Sequence, residues 1–448
     1  MTRGQGADVL VVGAGLAGLA AAYDLAGAGL NVTVLEAGAA PGGRMSSHAM
    51  AGMTMERGAQ FLSTGYRTVP ALIRDLGLTS RLCRTSSRTL VVDGHGTYTM
   101  DARNPLTLFT AGVLPVRQAT AALASLRQAR ELASRLPPDD LAAWAEFDAI
   151  GADQWAADHL PAGLVDRVLV PAVHGFYFQT MAQNSAVLAA ALTSMYGRGG
   201  SVVSLRGGLG ALTAALAERV PVTYRTPVSE VRADDDQVVV STPAGQLPAP
   251  VVIITAGAAA TAAMLPAVEP VEAQLLATEY SPGLLIGYAL DSPLRRSELG
   301  GAYGVLFPPE SSGLAALAVA SRTGTPAPRT AGRDLVTGML APDLAARLRD
   351  AHDDEVAAAG LRLLGEHLPG IQQRVIGTHV VRWDQAMPTT QAGRAALVRR
   401  YRTELPAHSR IVLAGDYLGF PWTDSAAYNG RWAAAHVRDA SGALGLRH

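Results

Sequence analysis

The hydrophobic pattern changes period several times along the chain, and each change predicts an element. Asp8 is followed by an unbroken aliphatic run, Val9-Leu10-Val11-Val12, then by Gly13-Ala14-Gly15-Leu16-Ala17-Gly18 and an alanine-rich stretch through Leu25. A short β-branched run of this kind reads as a strand buried on both faces, turning tightly into a helix. Val32-Thr33-Val34-Leu35 completes a βαβ unit, and Val251-Val252-Ile253-Ile254 and Ile411-Val412-Leu413 repeat the buried-strand pattern much later. Between Asn104 and about Gly197 the period becomes helical, as in Ala119 to Leu132, which Pro137-Pro138 ends. Hairpins are expected at Val91 to Tyr98, turning on Asp93-Gly94, and at Val228 to Arg232 with Val238 to Thr242, joined through Asp234-Asp235-Asp236. Further strands are expected at Leu284 to Leu290, Leu317 to Ala320 and Val380 to Pro388, with a helix over Glu355 to Leu368.

The glycines give the first unit a chemistry. Gly13 permits the turn, Gly15 lets a pyrophosphate approach the backbone and the helix N-terminus, and Gly18 allows helix and strand to pack closely. The second strand ends in Glu36, 18 residues past Gly18, where a carboxylate accepts from the ribose hydroxyls of an adenosine and repels a 2′-phosphate. A second Gly-rich turn, Arg206-Gly207-Gly208-Leu209-Gly210, also leads into a helix, but no βαβ unit with a terminal acid follows it. The acid run at 234–236 reads as a turn rather than a metal site, since carboxylates on adjacent loop residues rarely converge on one ion.

The continuation Glu36-Ala37-Gly38-Ala39-Ala40-Pro41-Gly42-Gly43-Arg44 resembles the FAD-binding stretch of the flavin-containing amine oxidase and protoporphyrinogen oxidase superfamily. So does the closing stretch, Gly415-Asp416-Tyr417 through Trp422-Thr423-Asp424-Ser425-Ala426, while Trp383 to Pro388 resembles a Trp-then-Pro segment near the flavin in protoporphyrinogen oxidases. The resemblance implies an α/β fold: a discontinuous Rossmann-like FAD-binding domain (1–70, 200–265 and 395–448) and an α+β substrate-binding domain (71–199 and 266–394) with a helical part at about 104–197. It implies FAD contacts from Gly13, Gly15, Leu16, Ala17, Gly18, Glu36, Ala37, Gly43 and Arg44. It adds Gly58, Ala59 and Gln60 beside the ring, Val228 at the adenine, and Gly415, Asp416, Asp424, Ser425 and Ala426 in the closing motif. Arg44 is expected to neutralise phosphate, Asp416 to hold ribityl hydroxyls, and the helix beginning near Asp424 to aim its positive end at the flavin. Gln60, His174, Trp383 and Trp422 are the candidates at the reacting end. Arg382, like His174 and Gln60, is a candidate for proton transfer. Phe176, Tyr177 and Phe178 could equally wall a pocket or pack a core.

Composition narrows the chemistry. All 37 basic residues are arginine, which excludes Schiff-base, pyridoxal and P-loop lysine chemistry and the flavin-side lysine of many amine oxidases. The implied reaction is transfer of hydride equivalents from a small organic substrate to flavin N5, as C–C or C–N dehydrogenation, with reoxidation by molecular oxygen. An imine-forming amine oxidase and a non-redox isomerase or binding protein are the alternatives. A net charge of −1 gives no reason to expect a nucleic acid partner. One cysteine, Cys83, allows no internal disulfide and sits far from the closing motif, so FAD is expected to dissociate. The longest apolar runs are dominated by Ala and Gly or broken by Pro, and the N-terminus runs straight into a strand, so a cytoplasmic monomer or homodimer without stable membrane insertion or metal is expected.

Overall fold

A computed structural model describes residues 6–101, 104, 106–197, 201–234, 236–310, 313–323 and 332–446. Strand β1 (Val9–Val12), helix α1 (Leu16–Gly27) and strand β2 (Val32–Leu35) form the expected first unit. Around them lies a five-stranded sheet in which Val222–Thr223 flanks β2, Val251–Ile254 pairs with β1, and Ile411–Leu413 closes the far side. Every pairing in it is parallel, with Val9 opposite Val32 on one side and Val251 on the other. The all-aliphatic strands suit this arrangement, because a parallel sheet covered on both faces has no polar side to present. Strands from three distant parts of the chain therefore end at one edge, where such sheets bind ligands.

The C-terminal helix Thr423–Asp439 packs along α1, and small residues make the approach possible. A Cβ on Gly430 would stand 2.0 Å from the Ala17 carbonyl, so only glycine fits there. The N-termini of both helices are thereby brought to the same edge of the sheet.

A second, seven-stranded sheet is built from Arg88–Asp93 and Gly96–Asp101 together with strands between Tyr280 and Pro388. It is antiparallel except where Gly304–Leu306 runs parallel to the strand Arg88–Asp93. Its long strands Tyr280–Leu290 and Val375–Pro388 pair from Tyr280 opposite Pro388 to Leu290 opposite Val375. The helical region includes Ala119–Arg135, Val170–Tyr177 and Ala186–Gly197. The helix expected over Glu355 to Leu368 spans Asp353–His367, and the strand expected at Leu317 spans Leu314–Val319. In the 234–236 turn, Asp235 lies outside the described residues. Among the described residues, no helix is long and apolar enough to cross a membrane.

The second Gly-rich turn belongs elsewhere. Val202–Leu205 joins a separate three-stranded sheet, and the turn after it is filled by protein. Glu56 accepts from the Leu209 amide at 2.8 Å, the Ser47 hydroxyl accepts from the Gly210 amide at 3.0 Å, and Ser47 donates to Glu56 at 2.7 Å. Carboxyl and hydroxyl thus occupy the place where a phosphate would have to sit.

Candidate active site

A single cavity of about 580 Å³ runs from the edge of the parallel sheet into the space under the second sheet. One end of it is set by the turn after β1. Gly13 holds φ at +102° and donates from its amide to the Leu35 carbonyl at 2.8 Å, which joins the two strand ends. Gly15 and Gly43 face open space: a Cβ on Gly15 would meet nothing within 4 Å, and one on Gly43 only the Gly15 Cα at 3.9 Å. Helix α1 has no side-chain cap, so its first amides are left for a ligand. Glu36 accepts from the Ala14 amide at 2.7 Å and from the Gly38 amide at 2.7 Å, which fixes its carboxylate beside this turn.

Arg44 and Asp416 form the middle of the site. Asp416 follows the strand Ile411–Leu413 and Gly415, whose φ is +126°. The Arg44 guanidinium donates to Asp416 at 2.6 Å and to the Gln385 and Ala386 carbonyls at 3.1 and 3.0 Å. Tyr280 donates to the other Asp416 oxygen at 3.0 Å, and its ring lies 5.7 Å from the guanidinium carbon. Burial alone would lower the Arg44 pKa, but Asp416 and Tyr280 outweigh it and hold the guanidinium more firmly protonated. Arg44 backbone and the 57–59 segment are zipped together: the Ala59 amide donates to the Arg44 carbonyl at 2.9 Å, and a Cβ on Gly58 would come within 2.2 Å of that oxygen.

The far end is aromatic. Trp422 donates to the Pro138 carbonyl at 2.9 Å and stacks on Phe420 at 4.3 Å. Trp383 donates to the Arg57 carbonyl at 2.6 Å, and Phe61 meets Phe176 edge-on at 5.1 Å. Phe176, Tyr177 and Phe178 all face the cavity.

Of the residues singled out in the sequence, the cavity wall gathers Gly13, Gly15, Leu16, Ala17, Glu36, Ala37, Gly43, Arg44, Gly58, Ala59, Gln60, Val228, Trp383, Gly415, Asp416, Trp422 and Ala426. Four others stand behind it. Gly18 packs against the first turn, where a Cβ would lie 2.0 Å from the Gly13 carbonyl. Asp424 turns away from the cavity and accepts from the Arg67 and Val69 amides at 2.8 and 2.6 Å, capping the helix Thr68–Asp75. Ser425 is fully buried and donates to the Asp139 carbonyl at 2.7 Å. His174 is buried off the cavity wall with Nδ1 bonded to the Phe307 carbonyl at 2.7 Å, and burial lowers its pKa. Arg382 is engaged by Asp353 and by the Arg349 and Ala351 carbonyls, outside the cavity. Gln60 reaches the wall, but its amide is folded back onto the Gly58 carbonyl at 2.9 Å.

Two further segments join the wall without a site motif of their own. Thr255, Ala256 and Gly257 follow the strand beside β1, and the Thr255 hydroxyl donates to the Val12 and Gly13 carbonyls at 2.9 and 3.1 Å. That position was inferable, since a strand parallel to β1 must end at the same edge. Thr85, Ser86, Ser87 and Thr89 line the other end, and no local pattern marks them.

A family model for flavin-containing amine oxidoreductases matches residues 16–438. The chain belongs to that family. Its fold is similar to a protein of Exiguobacterium sp. 255-15 provisionally named protoporphyrinogen oxidase, at 20% identity and TM-score 0.74 over 96% of this chain and 98% of that one. It is also similar to putrescine oxidase in a structure bound to putrescine, at 18% identity and TM-score 0.74 over 97% and 99%. In sequence, 111 residues are 39% identical to protoporphyrinogen oxidase 2, chloroplastic/mitochondrial, of Arabidopsis thaliana. That stretch is 25% of this chain and spans about one fifth of the plant protein, 22%. The chain is therefore a flavin-containing oxidoreductase of mixed α/β fold.

Proposed function

We propose that the protein is an FAD-dependent oxidase that dehydrogenates a C–C or C–N bond of a small organic substrate, with molecular oxygen as final acceptor. The observation that carries this reading is that the uncapped N-terminus of α1, Glu36, the Arg44–Asp416 pair and the aromatic walls open on one continuous cavity. The open space above Gly15 and Gly43 fits a diphosphate approaching the backbone. Glu36 would accept from ribose hydroxyls, Val228 would lie at the adenine, and Asp416, held by Arg44 and Tyr280, would present its carboxylate to the ribityl chain. The helix Thr423–Asp439, which also lacks a side-chain cap, would direct its positive end at the pyrimidine edge. FAD, when bound, supplies an acceptor for a hydride leaving a substrate carbon. Trp383 and Trp422 would orient a flat substrate, and the aromatic wall would exclude water. The segments 1–70, 200–265 and 395–448 would then form the cofactor domain and the remainder the substrate domain.

The test is aerobic incubation of the FAD-loaded protein with a panel of porphyrinogens, cyclic amines and cyclic hydrocarbons, followed by peroxide and product. Catalysed product is expected for at least one class, with one peroxide for every two electrons removed, that is one per imine or C=C formed and three per porphyrin. Product without oxygen uptake or peroxide would overturn oxygen as the acceptor, and substrate rearrangement without net oxidation would overturn the oxidase reading.

A further inference from the structure

Resting on that reading, we propose that the cavity selects an uncharged, flat, apolar substrate, held by ring contacts and hydroxyl groups rather than by an ion pair. Among the described residues, the charged side chains on the wall are Glu36, Arg44 and Asp416, and all three belong to the nucleotide end and the middle. Apart from the Gln60 carboxamide, which is folded back onto the Gly58 carbonyl, the rest of the wall is aromatic, aliphatic, thioether or hydroxyl-bearing. A bare ammonium or carboxylate entering such a space loses its water and gains no counter-charge, a cost of several kcal/mol for an unpaired ion. A neutral ring loses only water that is poorly held against apolar walls, and gains burial against Phe61, Phe176 and Trp383.

The charged side chains packed against this end are held by protein partners, while Arg296, at the rim of the adjoining polar pocket, is exposed and does not reach the cavity wall. Glu56, off the wall, is turned toward Ser47 and the Leu209 amide, and burial favours its neutral form. Arg57 lies over the Trp383 ring at 5.6 Å and donates to Ser46. Where a smaller polar pocket adjoins the cavity at Ser86 and Ser87, Arg88 faces Asp101 at 3.6 Å and donates to the Gly300 carbonyl. Arg322 in the same pocket spends its guanidinium on the Ala302, Arg295 and Glu298 carbonyls. Hydroxyls are what remain to orient a substrate. Thr85 and Ser86 already give their protons to the Val202 and Gly301 carbonyls and are left as acceptors, so Ser87 and Thr89 are the hydroxyls on this stretch that can donate to a substrate. A ketone oxygen can accept from Ser87 or Thr89, and an enol or phenol O–H can in addition donate to Thr85 or Ser86.

The experiment compares three naphthalene probes of one shape at neutral pH: 2-acetylnaphthalene, 2-naphthoate and 2-naphthylmethylammonium. Binding to the FAD-loaded protein is followed by perturbation of the flavin spectrum and, independently, by equilibrium dialysis. The neutral ketone is expected to bind at least tenfold tighter than either ion. Ser87→Arg, outside the strands, is expected to tighten naphthoate at least tenfold relative to the ketone. An ion that binds as tightly as the ketone, a ketone that does not bind, or an unchanged ratio in Ser87→Arg would overturn the proposal. A protein that takes up no FAD would overturn the reading beneath it, and the dialysis ranking would then decide the proposal by itself.

Discussion

Gly15 and Gly18 stand three residues apart and lack a side chain for opposite reasons. Gly15 has an ordinary φ of −72° and open space where its Cβ would be, so Gly15→Val is expected to fold normally and to lose cofactor, because the new methyls project into the cavity. Gly18→Val is expected to fail as a fold, since even a Cβ would lie 2.0 Å from the Gly13 carbonyl. Thermal unfolding of both variants without FAD separates the two roles. Two buried carboxyls add a pH dependence. Burial pushes Glu56 up to about 7 from 4.5 and Asp424 up to about 7 from 3.8, against the hydrogen bonds each accepts. Each is therefore still protonated in the fold after the unfolded chain has released its proton, so stability is lost as pH rises from about 4 through 7. Glu56→Gln should flatten that fall, with a gain at alkaline pH on the order of 1–3 kcal/mol at most, measured by denaturant unfolding across pH. An unchanged pH profile would contradict the assignment. Residue types were legible in the sequence at this scale, but directions were not. Asp424 sits in the closing motif, yet its carboxylate serves a helix more than 350 positions away in sequence, and no local pattern encodes that turn of the side chain.

At the scale of elements, the buried strands were the most readable feature, because strands covered on both faces leave no polar position to blur the pattern. What the pattern could not give is which strand ends meet. The turn at Gly207 and Gly208 reads as a second phosphate loop until Glu56 and Ser47, from a hairpin 150 residues earlier, are found inside it. The Arg44–Asp416 pair is the corresponding device in the site itself, linking the loop after β2, the end of the strand Ile411–Leu413 and the carbonyls of the strand Val375–Pro388. Asp416→Ala should leave the guanidinium without its counter-charge. Expected effects are a stability loss of roughly 1–3 kcal/mol and FAD affinity at least tenfold weaker, read by unfolding and by FAD titration. A variant that binds FAD as tightly as the parent would remove Asp416 from the cofactor site.

For the whole molecule, the sheet that frames the site draws its strands from residues 9–35, 222–254 and 411–413, and the cavity needs all of them in register. A ligand filling that cavity binds the folded chain alone, so its free energy adds to folding by mass action: about 2.7 kcal/mol at a hundredfold excess over Kd. The fold class followed from the repeated strand pattern and the two end motifs, whereas the far wall of the cavity did not. Thr85 to Thr89 and Ser201 carry no spacing that announces a site, and they meet only through tertiary packing. The measurement that bears most directly on the account is FAD titration of cofactor-depleted protein, followed by flavin absorbance and by melting temperature, for the parent and Gly15→Val together. The account predicts saturable binding of one FAD with a melting temperature raised by several degrees in the parent, and neither change in the variant. Equal FAD binding by both proteins, or none by either, would contradict it.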